Sequence, residues 1–148
     1  MEIFQFTLVK GHQIASGVAN DPRFPIGTIA AQKPYFKALG LNLDGFHQAT
    51  LNAKFTCSTI IINHYDYSFE KVKWHDKMMA EDFKFVQCQI IVHQQCYPAF
   101  IYQPQLASKT EHFHDSNQLE IIAPYIRDLT YGEKLALEIP INTLTLIP

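Results

Sequence analysis

A succession of short apolar–polar alternations is the feature of this sequence that most constrains the fold. Residues 49–55, 58–63, 68–74, 82–93 and 96–103 are separated by turn residues and are typical of β-strands. Further strands are predicted at 2–9, 119–123 and 134–139. So many short strands with few helices between them predict a mainly β domain, either a barrel or a sandwich.

Helical signals are few and short. A helix is predicted over Lys33–Leu39, with Pro34 in its first turn and Gly40 after its end. Residues 124–129 are predicted to form a second helical turn. A turn at Gln94-Gln95 is expected to join two of the longer strands, and residues 141–148 have no clear pattern.

The composition favours one soluble domain that spans residues 1–148. Hydrophobic residues make up 47% of the chain and charged residues only 18%, which suits a packed core. The net charge is −2 and no run of Lys or Arg is present, so nucleic-acid binding is not expected. No segment has the length of a membrane span or the pattern of a signal peptide. Three cysteines without CxxC spacing are typical of reduced thiols and predict a cytoplasmic protein.

Two segments about seventy residues apart carry more polar groups than plain core strands need. They are Ala49-Thr50-Leu51-Asn52 and Leu119-Glu120-Ile121-Ile122-Ala123-Pro124, with Lys109-Thr110-Glu111-His112 shortly before the second. Ser16-Gly17 precedes them and Tyr131-Gly132-Glu133 follows. In this order they resemble the archaeal CTP-dependent riboflavin kinases, which carry a "GTLN" segment early and an "EIIAP" segment late. The resemblance extends over roughly residues 12–139.

This resemblance implies a small closed β-barrel of the cradle-loop type, with six or seven strands, one or two short helices, and a nucleotide lying across one end. It also implies that Thr50 and Asn52 act at a Mg²⁺ ion and the nucleotide phosphates. Mg²⁺ prefers hard oxygen ligands, and side chains two residues apart on a strand point to the same face. Two neutral oxygens bind Mg²⁺ weakly, so the phosphates must supply the negative charge.

The kinase hypothesis that follows from the resemblance names further site residues on both sides of this pair. For the nucleotide they are Ser16, Gly17, Arg23 and Lys54, of which Arg23 and Lys54 are candidates to offset developing charge. For the flavin they are Thr110, His112 and Glu120. Asp21 and Glu120 are the candidate catalytic residues that would orient the riboflavin hydroxyl for attack on the γ-phosphate. The expected partners are therefore a small-molecule nucleotide, a flavin, or both.

Several alternatives stay open at the level of the sequence. The segment after Gly17, from Val18 to Pro25, is stiffer and bulkier than a glycine-rich phosphate loop, and Ala49 replaces the expected glycine. These departures favour a non-catalytic nucleotide- or flavin-binding module, and a regulatory or interaction protein is a further alternative. On a purely structural interpretation, Thr50 is a strand-favouring residue and the many aromatic side chains are ordinary core.

Overall fold

Nine strands and one helix form the regular structure of the part of the chain that the computed structural model describes, residues 1–10, 28–76, 79–105 and 116–148. In chain order they are β1 (Glu2–Val9), α1 (Thr28–Ala38), β2 (Thr50–Lys54), β3 (Thr59–Ile62), β4 (Tyr67–Val72), β5 (Glu81–Val92), β6 (Gln95–Gln105), β7 (Gln118–Ile122), β8 (Lys134–Ile139) and β9 (Leu144–Ile147). The prediction of a mainly β protein is confirmed, and each predicted strand begins and ends within two residues of an observed one.

Seven of the strands form one antiparallel sheet that closes upon itself. Its order is β4-β5-β6-β7-β2-β1-β8, and β5 pairs with β8 as well. Hydrogen bonds therefore run round a ring of six strands, β5-β6-β7-β2-β1-β8, while β4 extends from β5 at the edge. The residues near the end of the chain that had no clear pattern form β9, which pairs with β3 in a separate two-stranded sheet.

The two faces of the closed sheet bury different sets of residues. One face packs mainly aliphatic side chains from all six strands of the ring, among them Leu8, Ala53, Ile101, Ile121 and Leu137. The opposite face, beneath α1, packs a cluster rich in aromatic rings that includes Phe36, Phe83, Phe85 and Tyr102. The alternation of side chains along each strand produces this division.

The helix begins five residues before the predicted position, and Pro34 lies inside it. A proline within a helix removes one backbone hydrogen bond and costs about 3 kcal/mol. The helix nevertheless continues back to Thr28 because tertiary contacts support its first turns. Within the helix, Ile29 is fully buried, and the Gln32 side chain accepts a hydrogen bond from Tyr102 of the sheet.

Two other local predictions were wrong. Residues 124–129 are irregular, because Asp128 adopts a positive φ of 63° while Ile126 and Leu129 pack on the aliphatic core. The turn between β5 and β6 is formed by His93 and Gln94, one residue earlier than expected. Both residues have positive φ, as the turn of a tight two-residue hairpin requires.

Within the described ranges, no helix has both the length and the apolar character needed to cross a lipid bilayer.

Replacing Phe36 by alanine should test the contribution of the helix to the fold. Phe36 is fully buried and its ring lies 4.8 Å from that of Phe83 and 5.0 Å from that of Phe85. We expect Phe36→Ala to lower the free energy of unfolding by about 3–5 kcal/mol in urea titrations. Tyr35→Ala, on the exposed side of the same helix, should change it by less than about 1 kcal/mol. Equal losses for the two variants would show that Phe36 does not anchor α1 to the sheet.

Candidate functional site

A row of polar side chains crosses three neighbouring strands of the closed sheet. Asn52 on β2 pairs with Glu120 on β7, and Glu120 pairs with Tyr102 on β6. Directly paired residues of antiparallel strands point to the same face, and Thr50 joins this face because it lies two residues from Asn52. The β2–β7 register thus places the polar residues of the two sequence segments side by side.

Thr50 and Glu120 are in direct contact. The Thr50 hydroxyl donates a hydrogen bond to Glu120 Oε1 at 3.1 Å, across 70 residues of sequence. The Glu120 carboxylate, on the otherwise largely apolar strand β7, therefore has a hydrogen-bond partner within the protein. The interaction joins the "TLN" segment to the "EIIAP" segment at the level of side chains.

Asn52 is the unusual member of the row. Its side chain is only 8% exposed, and its Oδ1 atom has no hydrogen-bond partner in the described part of the chain. A buried acceptor without a partner costs about 1–3 kcal/mol, and such groups are rare in folded proteins. A ligand that supplies a proton donor or a cation to Oδ1 would recover this energy.

Tyr102 connects the row to the helix. Its hydroxyl donates to Gln32 Oε1 of α1 at 2.5 Å, and both side chains are almost completely buried. Burial raises the pKa of the Tyr102 hydroxyl well above its usual value, and the nearby negative charges of Glu120 and Glu81 raise it further. Tyr102 therefore stays protonated and remains a donor to Gln32 throughout the physiological pH range.

The surroundings of the row are largely apolar. The Tyr102 ring lies 6.0 Å from Phe83 and 5.8 Å from Phe85, and Ile122 is fully buried beside Thr50. Electrostatic interactions are stronger where water is excluded, because the local dielectric constant is lower. The Glu120 carboxylate, which is partly buried, is therefore well placed to act on a cation or on a proton donor of a ligand.

The structure brings together three of the predicted site residues, Thr50, Asn52 and Glu120. Lys54 lies on the same face of β2, two residues beyond Asn52, next to Thr7 of β1 and Gln118 of β7. The remaining predicted site residues lie outside the described residues: Ser16, Gly17, Asp21, Arg23, Thr110 and His112. Their assignments stay predictions.

Gln32 and Tyr102 were not anticipated as members of the site. The alternation of residues 96–103 is enough to place Tyr102 on one face of a strand with Phe100. It does not show which strand pairs with β6, because strand pairing depends on residues that are distant in sequence. Gln32 carries no local signal, since only the packing of α1 on the sheet brings it to Tyr102.

The donor set of the row suits a magnesium ion that is also bound by phosphate. Thr50, Asn52 and Glu120 offer a hydroxyl, an amide oxygen and a carboxylate, which are all hard ligands. In the described ranges no group of three or more His, Cys, Asp or Glu side chains is close enough to hold a metal. With a single carboxylate in the row, the additional negative charge has to come from a ligand.

No protein-family model matches the chain, and no curated protein matches it either.

The Tyr102–Gln32 hydrogen bond should contribute measurably to stability. Tyr102→Phe leaves Gln32 Oε1 buried without its donor, so we expect a loss of about 1–3 kcal/mol in the free energy of unfolding. The matched control is Tyr97→Phe on the same strand, whose hydroxyl donates at 2.8 Å to Gln95 in an exposed position. That variant should lose less than about 0.5 kcal/mol. Indistinguishable urea midpoints for the two variants would argue against a structural role for the buried bond.

The raised pKa of Tyr102 predicts a specific loss of stability in alkali. In the unfolded chain a tyrosine ionises near pH 10, whereas folded Tyr102 ionises at a higher pH. Above pH 10 the unfolded state therefore binds fewer protons, and its relative free energy falls as the pH rises. Unfolding titrations from pH 9 upward should show a steeper decline for the native protein than for Tyr102→Phe. Parallel declines would show that Tyr102 ionises normally.

Proposed function

We propose that the protein is a divergent relative of the archaeal CTP-dependent riboflavin kinases and binds a nucleotide with Mg²⁺ at Thr50, Asn52 and Glu120. The observation that carries the proposal is the buried, unpartnered Oδ1 atom of Asn52 beside the hydrogen-bonded Thr50–Glu120 pair. These are positions of the two segments on which the sequence resemblance rests. Their contact across the β2–β7 pairing is what a shared site requires.

The chemistry of the three side chains supports a metal-bound phosphate more than an uncharged ligand. Asn52 Oδ1 would be a metal ligand, and the Thr50 hydroxyl and the Glu120 carboxylate would complete the protein's set of oxygen donors. Bound Mg²⁺ would supply charge neutralisation to the phosphates. The hydrogen bond from Thr50 restrains the Glu120 carboxylate.

The closed ring of six strands supports the finer proposal for the fold. A ring of hydrogen bonds with one covering helix is compatible with a cradle-loop-type barrel, which would leave β4 as an additional edge strand. In such a fold the nucleotide would lie across the end where β1 finishes and β2 begins. Ser16, Gly17 and Arg23 follow β1 in the sequence and would take part in binding the phosphates.

The proposed reaction is transfer of the γ-phosphate of CTP to the primary hydroxyl of riboflavin. The bond between the γ-phosphorus and the bridging oxygen breaks, a bond from phosphorus to the riboflavin oxygen forms, and CDP leaves. Glu120, or Asp21, would orient the attacking hydroxyl and receive its proton. Thr110 and His112 would contact the flavin, and Lys54 or Arg23 would offset the developing charge.

Binding without transfer is the second candidate function. Glu120 already accepts a hydrogen bond from Thr50, so its carboxylate has a structural use that does not require catalysis. The bulky residues after Gly17 also favour binding without transfer, because phosphate loops depend on close approach of the backbone to the phosphate. In this case the protein would keep the Mg²⁺–nucleotide site as a small-molecule binding module.

A thermal-shift series with CTP, ATP, riboflavin and FMN, each with and without Mg²⁺, tests the binding site. A ligand that binds only the folded state raises the unfolding midpoint by an amount set by RT ln(1 + [L]/Kd). We expect a Mg²⁺-dependent shift with CTP that is absent in Thr50→Val and Glu120→Gln. The matched control is Thr59→Val in the separate β3–β9 sheet, which should respond to CTP as the native protein does.

The same proteins separate the two candidate functions. Formation of FMN from riboflavin and CTP by the native protein, lost in Glu120→Gln, would support the kinase. A Mg²⁺-dependent CTP shift without FMN formation would support the binding module. No shift with either nucleotide, or shifts of equal size in Thr50→Val, would overturn the proposed site.

A further inference from the structure

A depression lies at the C-terminal end of β2. Of the residues that line it, the proposed nucleotide site uses only Lys54, and that only as an alternative to Arg23. Its volume is about 540 Å³, and it is bounded by β1, the end of β2 and the residue before β7. The lining residues are Thr7, Val9, Lys54, Phe55, Thr56, Cys57 and Asn117. Lys54 lies about 7 Å along the strand from Asn52, so the two places are neighbours on one face.

The lining has the chemistry of a site for an anion. Lys54 contributes a positive charge, Thr7 and Thr56 contribute hydroxyl groups, and no carboxylate is among the described residues that line the depression. An anion entering it would therefore meet donors without meeting a like charge. Val9 and Phe55 add apolar wall, so the ligand need not be polar throughout.

Asn117 adds a requirement that a simple anion does not meet. Its Oδ1 atom is buried and has no hydrogen-bond partner in the described residues, while its backbone carbonyl accepts from Phe55. An amide oxygen accepts hydrogen bonds, so an N–H or O–H group of a ligand is a suitable partner for it. The depression is more open than enclosed, and its volume of about 540 Å³ is larger than one phosphate needs.

We infer that this depression binds a small organic anion that also carries hydroxyl or N–H donors, such as a sugar phosphate, with the anionic group at Lys54 and a donor at Asn117. The inference does not depend on the proposed nucleotide site, because it rests on Asn117 Oδ1 and not on Asn52 Oδ1. It assigns Lys54 to this ligand in preference to a nucleotide phosphate at Asn52.

Cys57 provides a direct reporter for occupancy of the depression. Its side chain is partly exposed there, whereas Cys96 is exposed on β6, where none of the lining residues lies. Cys88 is buried, and burial raises the pKa of its thiol to about 12, so it will react little. Alkylation of the native protein by iodoacetamide, followed by mass spectrometry, therefore measures Cys57 and Cys96 in the same molecule.

We expect ribose 5-phosphate to slow the alkylation of Cys57 without changing that of Cys96. At about 10 mM it would fill a site with a Kd of about 1 mM to roughly nine-tenths and slow the reaction about tenfold. Inorganic phosphate should protect less because it lacks a donor that reaches Asn117, and uncharged ribose should protect least. Lys54→Met should abolish protection, and Lys54→Arg should retain it.

Three results would overturn the inference. They are an unchanged Cys57 rate with ribose 5-phosphate, equal slowing of Cys57 and Cys96, and full protection in Lys54→Met. Thr50→Val separates this site from the nucleotide site, since it should lose the CTP shift and keep the protection of Cys57. Loss of protection in Thr50→Val would show that the two are one site and would contradict the separate assignment.

Discussion

The pairing of β2 with β7 is the interaction that builds both the core and the candidate site. It joins two segments that are distant in sequence and completes the ring of six strands. Its register directs Leu51 and Ile121 toward the aliphatic core, and Asn52 and Glu120 toward the opposite face. A slip of one residue would send the two polar side chains into the core and the aliphatic ones out of it. Core and site therefore share one register.

The candidate site is held in place from the other side by the helix. Gln32 binds Tyr102, and Tyr102 is the cross-strand neighbour of Glu120, so α1 and the polar row are connected through one buried hydrogen bond. Polar groups beneath a helix are costly unless they are paired. Thr50, Glu120 and Tyr102 each have a partner, whereas Asn52 Oδ1 has none in the described part of the chain. We propose that a bound ligand supplies the missing partner, since an unpartnered buried acceptor lowers stability.

The local sequence pattern was sufficient to predict most of the strands. It was not sufficient to predict how the strands pair or how the helix packs on them. The strand β1 has the bounds that its alternation predicts, because its inward residues Phe6 and Leu8 are separated by the polar Thr7. The start of α1 was missed because it depends on the burial of Ile29 against distant strands, which outweighs the presence of Pro34. In the site, the resemblance predicted Thr50 and Asn52 at the Mg²⁺ ion and Glu120 at the flavin and in catalysis. Their contact, and the absence of a partner for Asn52 Oδ1, follow from strand register and packing, which no local pattern contains.

The variant Asn52→Leu, measured for stability and for nucleotide binding in the same preparation, would decide whether the unpartnered oxygen serves a ligand. Leucine has the same number and branching of side-chain heavy atoms but no acceptor, so it removes the unpartnered oxygen without leaving a cavity. We predict that the free energy of unfolding without ligand rises by about 1–3 kcal/mol while the Mg²⁺-dependent shift with CTP disappears. A variant that is less stable than the native protein and still responds to Mg²⁺ and CTP would show that Asn52 is an ordinary core residue and that the nucleotide site lies elsewhere.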